Sequence, residues 1–325
     1  MDAHDSHDDS HATTHDEFDR RDFLHCMAWA GTGLLWTFAG GVPTSRAFAA
    51  TSTATPAATD AGAFSFIQIS DSHIGFSMPA NMDTTATLKA AVDKINLSQT
   101  KQRADLMLHT GDVSHTSKPK EFDTAKQVIS GANVDRVFYI PGEHDTSYDG
   151  GASYWEHFPS GRGGGWYSFD HKGVHFIGLN NVVMLDAMGD LGHQQLEWMK
   201  NDVAGLSSST PMVVFAHVPL WAIYPQWGWG TNDAAQALSL LKRFGSVTVL
   251  NGHIHQIVQK VEGNVSFQTA MSTAYPQPAP GSAPHAGPKV MPAGQLASVL
   301  GVRTVNYVAN NSPLAIVDSS LEVKS

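Results

Sequence analysis

The chain alternates short apolar runs with amphipathic ones. Phe64–Ser70, Ala104–Thr110, Arg136–Ile140, Met212–Ala216 and Val247–Leu250 are compact and nearly continuous in their hydrophobicity, as strands covered on both faces are. Between them, Thr85–Leu97, Lys120–Ile129, Leu191–Leu206 and Asp233–Phe244 place apolar residues at helical spacing. Trp166–Asp170 and Val174–Leu179 flank His171-Lys172-Gly173, and Ile257–Val261 and Val265–Thr269 flank Glu262-Gly263-Asn264. Both read as hairpins. Weaker strand patterns fall near Val302–Val308 and Leu314–Val317, and residues 276–293, rich in Pro, Gly and Ala, read as a long loop. No internal repeat is visible. Early strand–helix alternation followed by hairpins predicts an α/β fold with mixed sheets, in one domain over residues 64–325.

The pattern changes before residue 64. Residues 50–63 are a small-residue linker without periodicity. Residues 1–49 run from a His- and Asp-rich start through Arg20-Arg21 into a weakly apolar stretch, Phe23 to Val42, and close on Ala47-Phe48-Ala49. Paired arginines before a mildly hydrophobic segment and a small-x-small site resemble a twin-arginine export signal, cleaved after Ala49. The competing reading is an uncleaved anchor, since about 20 apolar residues span a bilayer. The internal glycines and the Ala-Phe-Ala site favour cleavage. The resemblance implies the twin-arginine machinery as a partner, a periplasmic or secreted destination, no permanent membrane anchor, and cargo folded before export, often with its metal loaded.

Composition narrows the function classes. Of 325 residues, 42% are hydrophobic and 15% charged, which suits a core-forming chain. The formal net charge is -10, so no basic excess exists to hold a nucleic-acid duplex. The one cysteine, Cys26, lies in the leader, which excludes a disulfide framework and a Cys-ligated zinc or iron–sulfur site. Histidine is abundant, at 17 residues.

Those histidines and several acids collect at strand ends. FIQIS runs into Asp71-Ser72-His73, LMLHT into Gly111-Asp112, and VFYIP into Gly142-Glu143-His144-Asp145. MVVFA runs into His217, and VTVLN into Gly252-His253-Ile254-His255. Ligands of open α/β sheets bind beyond the carboxyl ends of strands, so five such ends predict one crevice. Asp71 and His73, two apart, point to one face if the chain there is extended, as do His253 and His255. Gly111, Gly142 and Gly252 allow tight exits from the strands. Imidazoles with carboxylates suit Zn, Mn or Fe. A carboxylate such as Asp112 can bridge two cations. A metal pair about 3.5–4 Å apart clamps a phosphoryl group and acidifies a shared water.

The five blocks, in this order and spacing, resemble the signature of the calcineurin-like metallophosphoesterases over about residues 64–275. The sequences WYSF at 166–169 and VHFI at 174–177 are similar to the class III cyclic-nucleotide phosphodiesterase and purple acid phosphatase branches. The resemblance implies a four-layer sandwich of two mixed β-sheets flanked by α-helices. Together with the export signal, it implies a periplasmic dinuclear phosphoesterase that hydrolyses a phosphodiester or phosphomonoester by a metal-bridging hydroxide. Position by position it assigns Asp71, His73 and His255 to the first metal, Asp112 to the bridge, and His217 and His253 to the second metal. His144 contacts phosphate and protonates the leaving oxygen, and Asp145 orients His144 through a hydrogen bond.

Glu143 departs from the pattern, which has Asn there. Asp71, Asp112 and Glu143 set three negative charges against the four positive charges of two divalent ions, where the usual site sets two. A less positive cluster holds a phosphate dianion less well and acidifies its water less. It favours a singly charged diester or a trivalent iron. The same departure motivates two other readings: a metal- or partner-binding protein on this scaffold without turnover, and a di-metal enzyme of redox chemistry. Among the remaining histidines, His109 reads as a packed core residue, and His157, His171 and His175 as surface or hairpin residues. His115 either lines the site or caps a turn. Trp221, Tyr224, Trp227 and Trp229 form an aromatic loop that either walls the site or packs on the 276–293 loop. Tyr148 and Asp149 are placed at the pocket border.

Overall fold

The computed structural model describes residues 62–99, 103–159, 164–308 and 311–322, together with the backbone of Leu34–Ala39 (β1) and Val42–Ala47 (β2), which pair antiparallel. The rest of the leader and most of the linker, including the twin arginines and the residue that follows the cleavage site, lie outside the described residues. The chain divides into two units, Met1–Ala58 and Thr59–Ser325, and the second carries the site.

Two mixed sheets build the second unit. The first holds Phe64–Ile69 (β3), Leu106–Thr110 (β4) and Arg136–Ile140 (β5) in parallel. The second holds Tyr167–His171 (β6), Val174–Leu179 (β7), Met212–Ala216 (β8), Val247–Asn251 (β9), Gln259–Glu262 (β10) and Val265–Thr269 (β11) in the order β10-β11-β9-β8-β7-β6. β6 with β7 and β10 with β11 are the two hairpins. The tail strands Gly301–Val308 (β12) and Asn311–Ser320 (β13) return to the first sheet, which reads β13-β12-β3-β4-β5.

The helices cover the outer faces. Thr84–Ser98 (α1) and Pro119–Ile129 (α2) lie on the first sheet, where Leu88, Ile95, Phe122 and Ile129 meet Ile67, Ile69 and Met107. Short helices Glu143–Thr146 (α3) and Ala152–His157 (α4) follow β5. Gly192–Val203 (α5) and Ala234–Leu241 (α6) cover the second sheet, where Leu196, Met199, Ala237 and Leu241 meet Ile177, Val214 and Val249. Phe64, Phe66, Leu106, Leu108, Phe176, Val213, Phe215 and Leu250 fill the space between the sheets. Each inner strand therefore buries both alternating sets of side chains, which is why its run is continuously apolar. The outcome is the expected four-layer sandwich. Residues 276–293 contain no helix or strand, and Leu296–Val299 (α7) is a single turn beyond them. Among the described residues, no helix is long and apolar enough to cross a membrane.

One histidine read as a surface or hairpin residue stands in the β6–β7 hairpin but away from solvent. His175, on β7, is buried, with Nδ1 2.8 Å from Asp170 Oδ1 and Nε2 2.9 Å from Asp202 Oδ2. The two carboxylates convert a hairpin position into a buried ion-pair site. Burial works against the imidazolium, but Asp202 and Asp170 outweigh it and raise its pKa. The stabilisation is therefore full below the unfolded pKa of about 6.5 and is lost as pH rises through the raised folded value. Asp170 is solvent-facing, which screens its share. We expect His175→Gln to destabilise the metal-free protein by about 1–2 kcal/mol at pH 5.5 and distinctly less at pH 9. Urea midpoints at the two pH values check this, and an equal loss at both would remove the ion-pair account.

Candidate metal centre

The five strand ends meet at one edge of the sandwich. Their backbones are stitched together: Asp71 N–H donates to Gly111 O (3.0 Å), His73 N–H to Asp112 O (2.9 Å) and Gly252 N–H to His217 O (3.0 Å). Side chains add cross-ties. Asp112 Oδ1 accepts the His144 N–H at 3.0 Å, and Asp71 Oδ1 accepts the His253 N–H at 3.0 Å. The local conformation is not the extended one expected from two-residue spacing. Asp71, His73, Asp112, His253 and His255 all have left-handed backbone, with φ of 54°, 41°, 52°, 69° and 56°. Such residues cost about 1–2 kcal/mol each and persist where tertiary structure over-determines them. The ligand pairs share the site because their chains curl, not because a strand alternates.

Two glycines make the crowding possible. Gly111 has φ +93°, a conformation that L residues rarely adopt, and its α-carbon faces the His217 ring. A methyl group on Gly142 would run into the backbone nitrogen and carboxylate of Asp112.

The side chains form two adjoining donor sets. Asp71, His73 and His255 offer atoms within 4.8 Å of one another, and so do Glu143, His217 and His253. Asp112 stands between the sets, its Oδ2 3.4 Å from His73 Nε2 and 3.4 Å from His217 Nε2. Glu143 reaches His217 Nε2 at 2.9 Å and His253 Nδ1 at 2.9 Å, so it sits squarely within the second set. All seven residues are buried.

The donor chemistry fits cations. Asp71 Oδ2, Glu143 Oε2, His217 Nε2 and both ring nitrogens of His253 are buried without a hydrogen-bond partner, although several lie within ion-pair distance of one another. Lone pairs that converge without bonding call for a shared positive centre. Titration behaviour agrees. Burial opposes charge on His217, yet Asp112 and Glu143 raise its pKa well above the ordinary value, so a proton serves where a cation is wanted. Burial and the neighbouring imidazoles of His144, His255 and His115 hold His73 well below its ordinary value, as a neutral donor. Backbone carbonyls orient the rings: His217 Nδ1–H donates to Thr110 O at 2.7 Å, and His255 Nδ1–H to Tyr275 O. Each bond leaves Nε2 facing the cluster.

His144 and Asp145 divide differently from expectation. His144 lines the cleft and donates Nδ1–H to His115 O at 2.9 Å, with the two rings stacked at 4.7 Å. Asp145 does not orient it. Its carboxylate accepts the Val113 N–H (3.1 Å), Ser114 N–H (2.8 Å), Gly142 N–H (3.0 Å) and the Ser114 hydroxyl (2.9 Å). It pins the β4 and β5 exits together, because a buried carboxylate takes the nearest orphan backbone donors. Tyr148, which is exposed, and Asp149, which receives the N–H groups of Gly151 and Ser153 at the start of α4, are not among the residues that line the cleft. His109 is a core residue, bonded to Ser72 Oγ at 2.8 Å, and burial lowers its pKa to about 3.

The cleft above the donor sets has a volume of about 250 Å³. Trp227 and Trp229 form part of its wall and also pack on Ala283 and Ala286 of the long loop, while Trp221 turns inward onto Phe267. Phe76, Tyr275 and Gln277 line the cleft as well and carry no motif that marks them. Phe76 follows the first block by three residues, which is its one sequence signal.

A two-sheet sandwich with a seven-residue imidazole–carboxylate cluster at its strand ends defines a metal-dependent phosphoester hydrolase. Residues 64–257 match the Calcineurin-like phosphoesterase family, and the chain belongs to it. A 3',5'-cyclic-nucleotide phosphodiesterase of Nostoc sp. is 26% identical over 216 residues, covering 65% of this chain and 79% of that protein. A probable glycerophosphodiester phosphodiesterase of Arcobacter nitrofigilis is 21% identical over 222 residues, 64% and 78% of the two chains. Among solved structures, a dimetal phosphatase of Danio rerio shares the fold with a TM-score of 0.55 at 14% identity, over 78% of this chain and 98% of that one. A purple acid phosphatase of yellow lupin does so with a TM-score of 0.57 at 14% identity, over 80% and 52%.

Proposed function

We propose that the protein is an exported hydrolase of small phosphodiesters. Asp71, His73 and His255 would hold one metal ion and Glu143, His217 and His253 a second, with Asp112 shared; Fe, Mn and Zn suit this donor set. The bound pair supplies positive charge for the phosphoryl oxygens and an acidified water for attack at phosphorus. His144 holds a proton in the cleft for the leaving oxygen, and His115 keeps that imidazole in its tautomer. Asp145 maintains the spacing of Asp112 and Glu143.

Glu143 carries the preference for diesters. It adds a third carboxylate between His217 and His253, and among the described residues no Lys or Arg lines the cleft to compensate. A dianionic monoester meets a weaker field than a singly charged diester does. Two relatives named as phosphodiesterases agree with the preference. Export by the twin-arginine route rests on Arg20-Arg21 and the Ala47-Phe48-Ala49 site, and delivery of the fusion of residues 1–63 to the periplasm, abolished by a Lys-Lys replacement, tests it.

Bis-p-nitrophenyl and p-nitrophenyl phosphates, assayed with Mn, Fe or Zn, decide the main point. We expect the diester to be favoured in kcat/KM by about tenfold. A monoester preference would overturn the diester reading, and retained metal without turnover of either ester would favour a non-catalytic scaffold. Glu143→Asn is expected to shift the ratio toward the monoester and to change metal preference. An unchanged metal content and ratio would remove Glu143 from the donor set.

A further inference from the structure

Building on the diesterase reading, we infer that the substrate carries a bulky apolar substituent, alkyl or aryl, which seats on the rim of the cleft. Three loops form that rim. The loop after β3 brings Met78 to the cleft, the loop after β7 brings Leu185, and the irregular segment after β11 brings Pro288. The same loops expose further large apolar side chains. Met82 is 66% exposed, Val183 53%, Met184 61% and Val290 60%, beside Met78 at 56%. Of the twelve exposed large hydrophobics among the described residues, six stand on these three loops. Single exposed apolar residues are ordinary, whereas their concentration around one cleft marks a binding surface.

The wall beneath continues the same chemistry. Phe76, Tyr275, Trp227 and Trp229 line the cleft, and the Tyr275 ring stacks on His73 at 4.8 Å. Gln277 Nε2 donates to His253 O at 2.9 Å, whereas Gln277 Oε1 and Trp229 Nε1 have no hydrogen-bond partner, so the wall is apolar with two polar points. Asp186 stands on the lining, and among the described residues no Lys or Arg lines the cleft, while the exposed Lys289 between Pro288 and Val290 is the one Lys or Arg on the three loops. A single lysine makes no cationic patch for a polyanionic substituent or an anionic membrane. The rim is also preformed. Met78 and Asn81 exchange backbone hydrogen bonds, Ser77 Oγ donates to Met82 O at 3.1 Å, and Ala187 N–H closes a turn on Met184 O at 3.3 Å. Little ordering is left for a ligand to drive.

Two esters with one leaving group isolate the effect: methyl p-nitrophenyl phosphate and octyl p-nitrophenyl phosphate, below micellar concentration, on the Mn-loaded protein. Each methylene that seats fully is worth about fourfold in affinity. We expect kcat/KM to favour the octyl ester by at least about tenfold, through KM, and Met78→Ser with Leu185→Ser to pull that ratio toward unity. Binding supplies an independent readout. Tryptophan fluorescence titrated with methyl octylphosphonate and methyl methylphosphonate should show the same order. Equal constants for the two esters, with turnover intact, would overturn the inference and leave the diesterase standing. Equal constants accompanied by binding to phosphatidylcholine vesicles would give the rim to a membrane surface instead. Absence of turnover with both esters would bring down the diesterase reading itself.

Discussion

Asparagine in place of Asp112 is expected to lower turnover of bis-p-nitrophenyl phosphate by about 10²–10³-fold and to cost the protein part of its bound metal. Asp112 Oδ2 lies 3.4 Å from His73 Nε2 and 3.4 Å from His217 Nε2, so this carboxylate stands where it would serve both donor sets. Its loss would remove a full negative charge from between the two donor sets. The fold should survive, because the other oxygen's role is to accept the His144 N–H, which an amide oxygen performs equally well. Elemental analysis beside kcat is the measurement. Full metal content with activity within twofold of the parent would mean that Asp112 bridges nothing.

Glutamine in place of His144 should reduce kcat by about 10²–10⁴-fold for a diester with an alkoxide leaving group, and far less for p-nitrophenolate. The reason is the proton. A poor leaving group needs one as the bond breaks, and p-nitrophenolate does not. Burial disfavours a charged His144, but Asp112, Glu143 and the bond to His115 O lift its pKa above the ordinary value. Bound cations offset part of that pull. As an acid it works below its pKa and fails above it, so the alkaline limb of the alkyl-ester profile should vanish in the variant. A uniform loss for both leaving groups, with the limb retained, would make His144 a phosphate contact only.

Much of the site was legible because the blocks are local. Asp71-Ser72-His73, Gly111-Asp112, Gly142-Glu143-His144, His217 and Gly252-His253-Ile254-His255 each follow an apolar run, and the crevice rule for strand ends brings them together. The geometry inside each block was not legible. Strand alternation predicts a shared face for Asp71 and His73, whereas both adopt left-handed backbone fixed by bonds from the next strand's exit. Asp145 shows the same limit. Adjacent to His144 in the chain, it spends its carboxylate on Val113, Ser114 and Gly142, donors that only the β4–β5 pairing presents. His175 looks like a hairpin residue until α5 lays Asp202 beside it.

Periods of two and 3.6 residues are properties of neighbouring side chains, so the sequence by itself determined the inner strands with their continuous burial, the two hairpins and the four long helices, but not the short helices α3, α4 and α7. It also determined which residue types stand at the strand ends, Glu143 among them. Strand order is a long-range property, with β12 returning beside β3 after more than two hundred residues. Only that packing decided which backbone donors meet Asp145, which two imidazoles Glu143 bridges, and which loops close around the cleft. Contacts of this kind are chosen by the competition of buried polar groups for the nearest partner, and that competition takes place after the sheets have assembled.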